Sequence, residues 1–469
     1  MIIEQKDQKK PLSHYIVKAE VLKRIFDVSG QAISLLNSYF IISSLSVYYF
    51  GFYQLVLAFI ALLRSVSMQL FDGLVTVEMR RYFNTQKLAF AKRIFLENVV
   101  TRLALAVVMA AGVFFGADII AGFYGKDVAI FIKIASALLI LRALQSLFSI
   151  FLQSVISFAD QSLGFIREFI KLILIISFIL LHQFGILEVI IAHVVAEGAT
   201  MLFFAVFIFA KKYQQAFRNI KSHRGNLMLD IIKTHGLRVF LIYGLKGVLR
   251  NIMPWIVNFY LNVEAVAFYA IALNLATFVQ GFLPFAGIKP ILILKSDNLK
   301  ELGVIFQRGL KYTLWIGIIY FIVAFFAVPP VLAFIFPKYV SAIPVFLLMI
   351  AVLPIYGAVR LINTTLGVLR EYGVLAQRVI NEILIIVIGS MIFLPIFGLT
   401  GVGLVYVAMR LERIWFLYGQ LIKRYPIFKM KLKNLVKFDA LDKEFAIKSF
   451  RQLLGFIRPV MRFIFPIKN

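Results

Sequence analysis

The feature that most constrains this chain is its series of apolar stretches, each about 20 residues long, the length needed to cross the hydrocarbon core of a bilayer. Twelve stretches qualify: 25–46, 52–74, 97–120, 129–152, 166–182, 186–209, 238–260, 266–288, 312–334, 342–364, 379–395 and 400–421. Composition agrees, because 61% of the 469 residues are hydrophobic, against roughly 45–50% in soluble domains. The expected fold class is therefore an all-α polytopic membrane protein with about twelve transmembrane helices. The N-terminal segment, MIIEQKDQKKPLSHYIVKAEVLKRIF, has no apolar core leading to a cleavage site and reads as a cytoplasmic lead-in.

The net charge of +27 is large, and its placement gives it meaning. With the N-terminus inside, 36 of the 38 Lys and Arg outside the spans fall on one side, in the N-terminus, 75–96, 210–237, 289–311, 365–378 and the tail; the remaining loop of that side, 153–165, has none. The opposite loops are short and hold only Lys126 and Lys338. Such asymmetry marks the cytoplasmic side and puts both termini there. The charge is thus read as topology, and no nucleic-acid partner is expected.

The chain also repeats itself. FGFYQLVLAFIALL (50–63) resembles VAFYAIALNLATFV (266–279), and IASALLILRALQ (134–145) resembles IAVLPIYGAVRL (350–361), both at an offset of 216. FGILEVIIAHVVAEG (184–198) resembles FGLTGVGLVYVAMRL (397–411) at an offset of 213. Three matches in order at nearly constant spacing predict two six-helix lobes. Because six is even, the repeats are parallel, with a binding site expected between them near the midplane. The expected organisation is a cytoplasmic segment (1–24), an N lobe (25–209), an inter-lobe linker (210–237), a C lobe (238–422) and a basic amphipathic tail (423–469). The tail has twelve Lys/Arg against three acids among many Phe, Ile and Leu, a composition suited to anionic membrane lipids.

Several chemistries find no support. There is no cysteine, the five histidines lack metal-ligand spacing, and no Gly-rich nucleotide loop occurs. No metal or other cofactor is expected, and an H+ or Na+ gradient is the candidate energy source. The outer loops are too short to build the acidic site of a membrane glycosyltransferase, so an enzyme is not expected.

Charges within the spans are then the candidate functional residues, since an Arg at a helix centre costs roughly 2.5–3.5 kcal/mol on insertion scales. Arg64 lies in AFIALLRSVSMQL, and Lys246 and Arg250 share one face of GLKGVLRNIMPW at i,i+4. Gly244 and Gly247 thin that helix. These three cations have few acids nearby in sequence and are the candidates for binding an anionic ligand. Arg142, Arg360, Asp27, Asp72 and Glu197 are candidates for secondary cleft charges or structural pairs. Glu168 and Glu197 are the expected partners of Arg142, and Glu382 and Glu412 those of Arg413.

Two parallel lobes, FGFYQLVLAFIALLRS and the half-end FGLTGVGLVYV resemble the polysaccharide-export (O-antigen type) flippases of the multidrug/oligosaccharidyl-lipid/polysaccharide (MOP) exporter superfamily. LLRSVSMQLFDGLVTVEMRRYF is also similar to the second helix of lipid II flippases, whose arginine there lines a cationic cavity; that likeness carries to Arg64 only. Lipid II flippases usually have fourteen spans, against twelve plus a tail here. The resemblance implies a V of two lobes through which a polyprenyl-diphosphate-linked oligosaccharide passes by alternating access, with polysaccharide assembly proteins as candidate partners. The alternatives are a MATE-like drug or metabolite exporter and a lipid II flippase.

Overall fold

The structure, a computed structural model, describes residues 12–67, 71–122, 128–155, 162–239, 244–281, 283, 299–430 and 435–436. Helices follow one another throughout, with no strand among the described residues. In the first half they are α1 (Leu12–Ser44), α2 (Val47–Ser67), α3 (Asp72–Asn84), α4 (Leu88–Phe115), α5 (Ala117–Gly122), α6 (Ala129–Ser154), α7 (Ser162–Leu180) and α8 (Ile186–Phe204). A π turn (Ala205–Phe209), α9 (Ala210–Phe217) and α10 (Leu227–Val239) lead into the second half. That half comprises α11 (Leu245–Tyr260), α12 (Val263–Gly281), α13 (Leu299–Ile335), α14 (Ile343–Ile350), α15 (Leu353–Val368), α16 (Tyr372–Phe397) and α17 (Leu399–Arg424).

Within the described residues, each of the twelve apolar stretches is occupied by helix. Among the described residues seven helices are long and apolar enough to span by themselves, and the 3-10 turn Pro337–Ala342 with α14, followed by α15 across a 49° bend, makes an eighth if the bent pair is one span. The helices at the other four positions are the more polar or shorter ones. Helix α1 holds six Ser and a charged first half, α7 and α17 carry clustered charges, and α11 is 16 residues long.

The two halves repeat one packing plan. In the N lobe α1 packs on α7, α7 on α8, α4 on α6, α6 on α8 and α2 on α6. In the C lobe α11 packs on α16, α16 on α17, α13 on α15, α15 on α17 and α12 on α14. The last helix of each lobe follows a Phe-Gly pair. Gly185 precedes α8, where Glu188 accepts a 2.9 Å hydrogen bond from the Gly185 amide. Gly398 precedes α17 with φ +56°, a conformation open to glycine at no steric cost.

The lobes meet mainly through α2, which packs on both α11 and α12. Two glycines permit the approach. A Cβ on Gly51 would stand 2.0 Å from the Val263 carbonyl oxygen, and one on Gly247 would stand 2.4 Å from the Ser65 Cβ. In a membrane, small residues let packed helices come this close.

The short turns define one end of the bundle, here the hairpin end; α3, α9 and α10 define the other, the basic end. At the hairpin end one buried apolar core runs through both lobes, from Ile41, Phe52 and Leu138 to Val266, Phe346 and Val402. Tyr339, fully buried, fits against Phe50, Phe268 and Phe336 there. Lys338 donates to the carbonyls of Ser43 (3.0 Å) and Leu45 (2.7 Å), bridging the C lobe to the N lobe. Toward the basic end each lobe has its own core: Met79, Phe95, Phe151 and Phe204 in one, Phe306, Leu361, Leu417 and Phe428 in the other.

The stretch between the lobes is tied to the start of α4. Lys92 donates to the Ile220 carbonyl, Arg93 to that of Gly225, and Glu97 accepts from the Met228 amide, while Phe90 and His223 stack at 3.9 Å. After α17 the chain turns back along α13, where Gln307 donates to the carbonyls of Ile427 and Lys429 and Trp315 to that of Leu435. Most of the basic tail, 437–469, lies outside the described residues.

Candidate functional site

The polar residues within the bundle fall into three groups, and cross-helix pairing sorts them. The first lies at the basic end. Asp72 begins α3, where the Arg102 guanidinium of α4 and the Ser146 hydroxyl of α6 both donate to it, and Arg102 also reaches Ser146. Asp72 thus ties three helices together. It was expected at the end of the second span; the structure gives it to a separate short helix.

The second group is the N-lobe cluster beneath α2. Glu168 is buried and accepts from Lys171 (2.6 Å), Asn37 of α1 (3.0 Å) and Arg167 (3.2 Å). Arg167 lies 3.6 Å from Glu197 of α8, whose carboxylate is fully buried and accepts no protein hydrogen bond. Arg142 of α6 was expected to pair with these acids. The direct pairs of these acids are with Arg167 and Lys171 of α7; Glu197 acts on Arg142 at longer range, and Arg142 reaches His193 Nε2 at 3.4 Å. A guanidinium only donates, so Nε2 accepts and Nδ1 carries the ring proton, which it donates to the Tyr53 hydroxyl of α2 at 3.0 Å.

Arg64 joins this cluster. It lies in the last turn of α2, partly buried, with Arg142, Asp72, Glu197 and Arg167 as the charges that act on it. With Asp72 counted together with its partner Arg102, Arg64, Arg102, Arg142, Arg167 and Lys171 are five cations, and Asp72, Glu168 and Glu197 are three carboxylates. Among the described residues the cluster therefore has a formal excess of two positive charges. The next residue, Ser65, is the one that meets Gly247 of α11. The Arg64 turn is thus apposed, across the lobe boundary, to the turns bearing Lys246 and Arg250. The side chains of Lys246, Arg250 and Asp27 lie outside the described residues.

The third group is in the C lobe. Glu382 of α16 receives Arg413 of α17 at 2.5 Å, as expected, and also Arg378 at 3.0 Å. Glu412 accepts from Asn381 (2.7 Å), and Arg378 also donates to Asn363 (2.7 Å). Arg360 is exposed on α15, outside this network. Arg410 donates to the Tyr406 hydroxyl at 3.0 Å and lies over the rings of Tyr406 and Tyr356.

Arg167, Lys171 and His193 were not among the expected site residues: His193 and the Arg167–Glu197 pair depend on contacts between helices, whereas Lys171 pairs with Glu168 one turn back on α7. The available signal was a triplet of charges, Arg167, Glu168 and Lys171, within one apolar span. Among the described residues no group of His, Asp and Glu could hold a metal ion.

No protein-family model matches the chain, and no curated protein does. Solved structures match along nearly its whole length. A lipid II flippase MurJ in an inward closed conformation superposes with a TM-score of 0.68 at 15% identity, over 94% of this chain and 98% of that one. An inward-facing multidrug-resistance MATE family transporter gives 0.66 at 15% identity, over 84% and 96%. A MOP superfamily transporter from Pyrococcus furiosus, described as having a binding pocket of reverse polarity, gives 0.63 at 15% identity, over 88% and 97%. These neighbours are transporters and flippases. The chain has the two-lobed, polytopic helical fold that MurJ and the MATE transporters of the MOP superfamily share.

Proposed function

We propose that the protein is a flippase moving a polyprenyl-diphosphate-linked oligosaccharide, of O-antigen or capsule type, from the cytoplasmic to the outer leaflet of the cytoplasmic membrane by alternating access. The observation that carries this reading is the formal excess of two positive charges, among the described residues, in the cluster that contains Arg64, next to the helix crossing that joins the lobes. A surplus of positive charge inside a membrane is costly and calls for an anionic partner. Guanidinium groups bind phosphate bidentately. In this reading Arg64, with Lys246 and Arg250 from the other lobe, holds the diphosphate while the lipid tail stays in the bilayer. Arg142 and Arg167 reinforce the field from the N lobe.

A MATE-like exporter is the second reading, favoured by the MATE structures among the fold neighbours. Export of an organic cation would need carboxylates for the ligand, whereas Glu168 and Glu197 face Arg167 and Lys171. The basic end is assigned to the cytoplasm with both termini, and the tail to anionic lipid. An H+ or Na+ gradient is the candidate energy source in this proposal, and polysaccharide assembly proteins are the candidate partners.

The function is tested by deleting the gene and extracting lipids. A polyprenyl-diphosphate oligosaccharide should accumulate; unchanged lipid-linked pools would contradict the reading. Orientation is tested with a single Cys at position 221 in this cysteine-free chain. Labelling from outside by an impermeant reagent would reverse the assignment.

A further inference from the structure

The internal repeat pairs positions between the lobes, and the polar sites differ where it does so. The offset of 216 pairs Tyr53 with Tyr269, and the offset of 213 pairs His193 with Tyr406 and Glu197 with Arg410. Both Tyr53 and Tyr269 are buried, on α2 and α12, each beside its counterpart on the last helix of its lobe. One turn farther along that last helix, the N lobe has an acid and the C lobe a base.

The surroundings of Arg410 are those of a held but unneutralised cation. Its Nη2 donates to Tyr406, whose hydroxyl also accepts from Gln280 of α12 at 3.1 Å. The guanidinium lies 4.8 Å from the Tyr406 ring centroid and 5.6 Å from that of Tyr356. Its Nε has no hydrogen-bond partner, and among the described residues no carboxylate pairs with it. The nearby acids are engaged elsewhere, Glu382 with Arg378 and Arg413 and Glu412 with Asn381. Tyr356, Tyr406 and Arg410 are only partly buried, and both tyrosines pack on the core shared by the two lobes. Two rings and a hydroxyl fix the guanidinium without cancelling its charge.

Resting on the transport reading above, we propose that Arg410, framed by Tyr356 and Tyr406, is a second diphosphate-binding position of the transport path, on the C-lobe side. Its place at the repeat equivalent of Glu197 puts this station on the last helix of the C lobe, separate from the Arg64 station to which both lobes contribute. The N-lobe part of the Arg64 station is built from arginines partly balanced by acids. The C-lobe station is a single arginine with no carboxylate paired to it among the described residues.

The test measures binding of undecaprenyl diphosphate and of undecaprenol, which has the tail without phosphate, to the full-length protein in detergent. Arg410→Gln should weaken diphosphate binding about tenfold and leave undecaprenol binding unchanged, and Arg410→Lys should recover part of the loss. Tyr406→Phe, which keeps the ring and loses the hydroxyl, should give a smaller loss. Competition by inorganic pyrophosphate distinguishes a site for the bare headgroup from one that needs the lipid as well. Arg410→Gln with wild-type diphosphate affinity overturns the proposal, as does equal weakening of both lipids, which marks a structural role. If Arg64→Ala loses binding while Arg410→Gln keeps it, the second station falls and the transport reading stands. If neither variant loses binding, both fall.

Discussion

The two lobes share one packing plan but hold charge differently. In the C lobe Glu382 bridges two arginines at 2.5 and 3.0 Å, and Glu412 is fixed by Asn381. In the N lobe Glu168 is similarly engaged, whereas Glu197 is buried with no protein hydrogen bond and stands 3.6 Å from Arg167. Helix packing therefore specifies the lobe, and charge placement distinguishes its use. The C-lobe network welds α16 to α17, with Arg410 outside that weld. The N-lobe network leaves a surplus of cations next to the crossing of α2 with α11.

The sharpest test of that contrast compares the two buried acids. Glu382→Ala leaves Arg378 and Arg413 without a carboxylate, and breaking a buried pair this way costs about 3–5 kcal/mol. Thermal unfolding in detergent should fall steeply, along with the amount of protein in the membrane. Gly247→Val acts on the crossing that joins the lobes, where even a Cβ would stand 2.4 Å from the Ser65 Cβ. Overpacking there should cost about 1–3 kcal/mol, and the double variant Ser65→Gly with Gly247→Ala should recover most of the stability. No recovery would mean that the crossing is not where the strain arises.

Lys338→Met removes the two bonds to Ser43 and Leu45 that bridge the lobes at the hairpin end. For partly exposed bonds a net loss of about 1 kcal/mol corresponds to roughly a fivefold population shift toward a state open at that end. Spin-label distances between positions 44 and 340 should lengthen; an unchanged distribution would remove Lys338 from the closure. The smallest stability effect is expected for Glu197→Gln, about 1 kcal/mol or less, because its carboxylate accepts no protein hydrogen bond. It should strengthen diphosphate binding a few-fold by removing a counter-charge. Equal destabilisation by Glu382→Ala and Glu197→Gln would erase the contrast between the lobes.

Much of this architecture was legible in the chain, for physical reasons. A membrane span declares itself by length and apolarity, so helices such as α13 and α16 stand where the hydropathy predicts. The repeat was legible through Phe-Tyr and Phe-Gly pairs at matching depths, and the packing follows it. The break between α2 and α3 was not, because Leu74, Val75 and Val77 extend the apolar run beyond Arg64 and mask a new helix beginning at Asp72. Pairing was legible only within one helix or between neighbours in the chain, as for Arg413 and Glu382. Arg142 with His193, Arg167 with Glu197 and Arg102 with Asp72 depend on how helices rotate against each other, which apolarity does not encode.

Arg64 is the central ligand-binding cation of the proposed mechanism. The direct measurement is export of the lipid-linked oligosaccharide by Arg64→Ala and Arg64→Lys in cells lacking the wild-type gene, with membrane protein levels quantified in parallel. A charge-assisted contact to phosphate is worth about 1.5–3 kcal/mol, or one to two powers of ten in binding. Arg64→Ala should therefore reach normal levels in the membrane and lose most export, and Arg64→Lys should recover part of it, since an ammonium cannot bind bidentately. Normal accumulation of Arg64→Ala with export at the wild-type rate would contradict the cationic-cleft mechanism at its central residue.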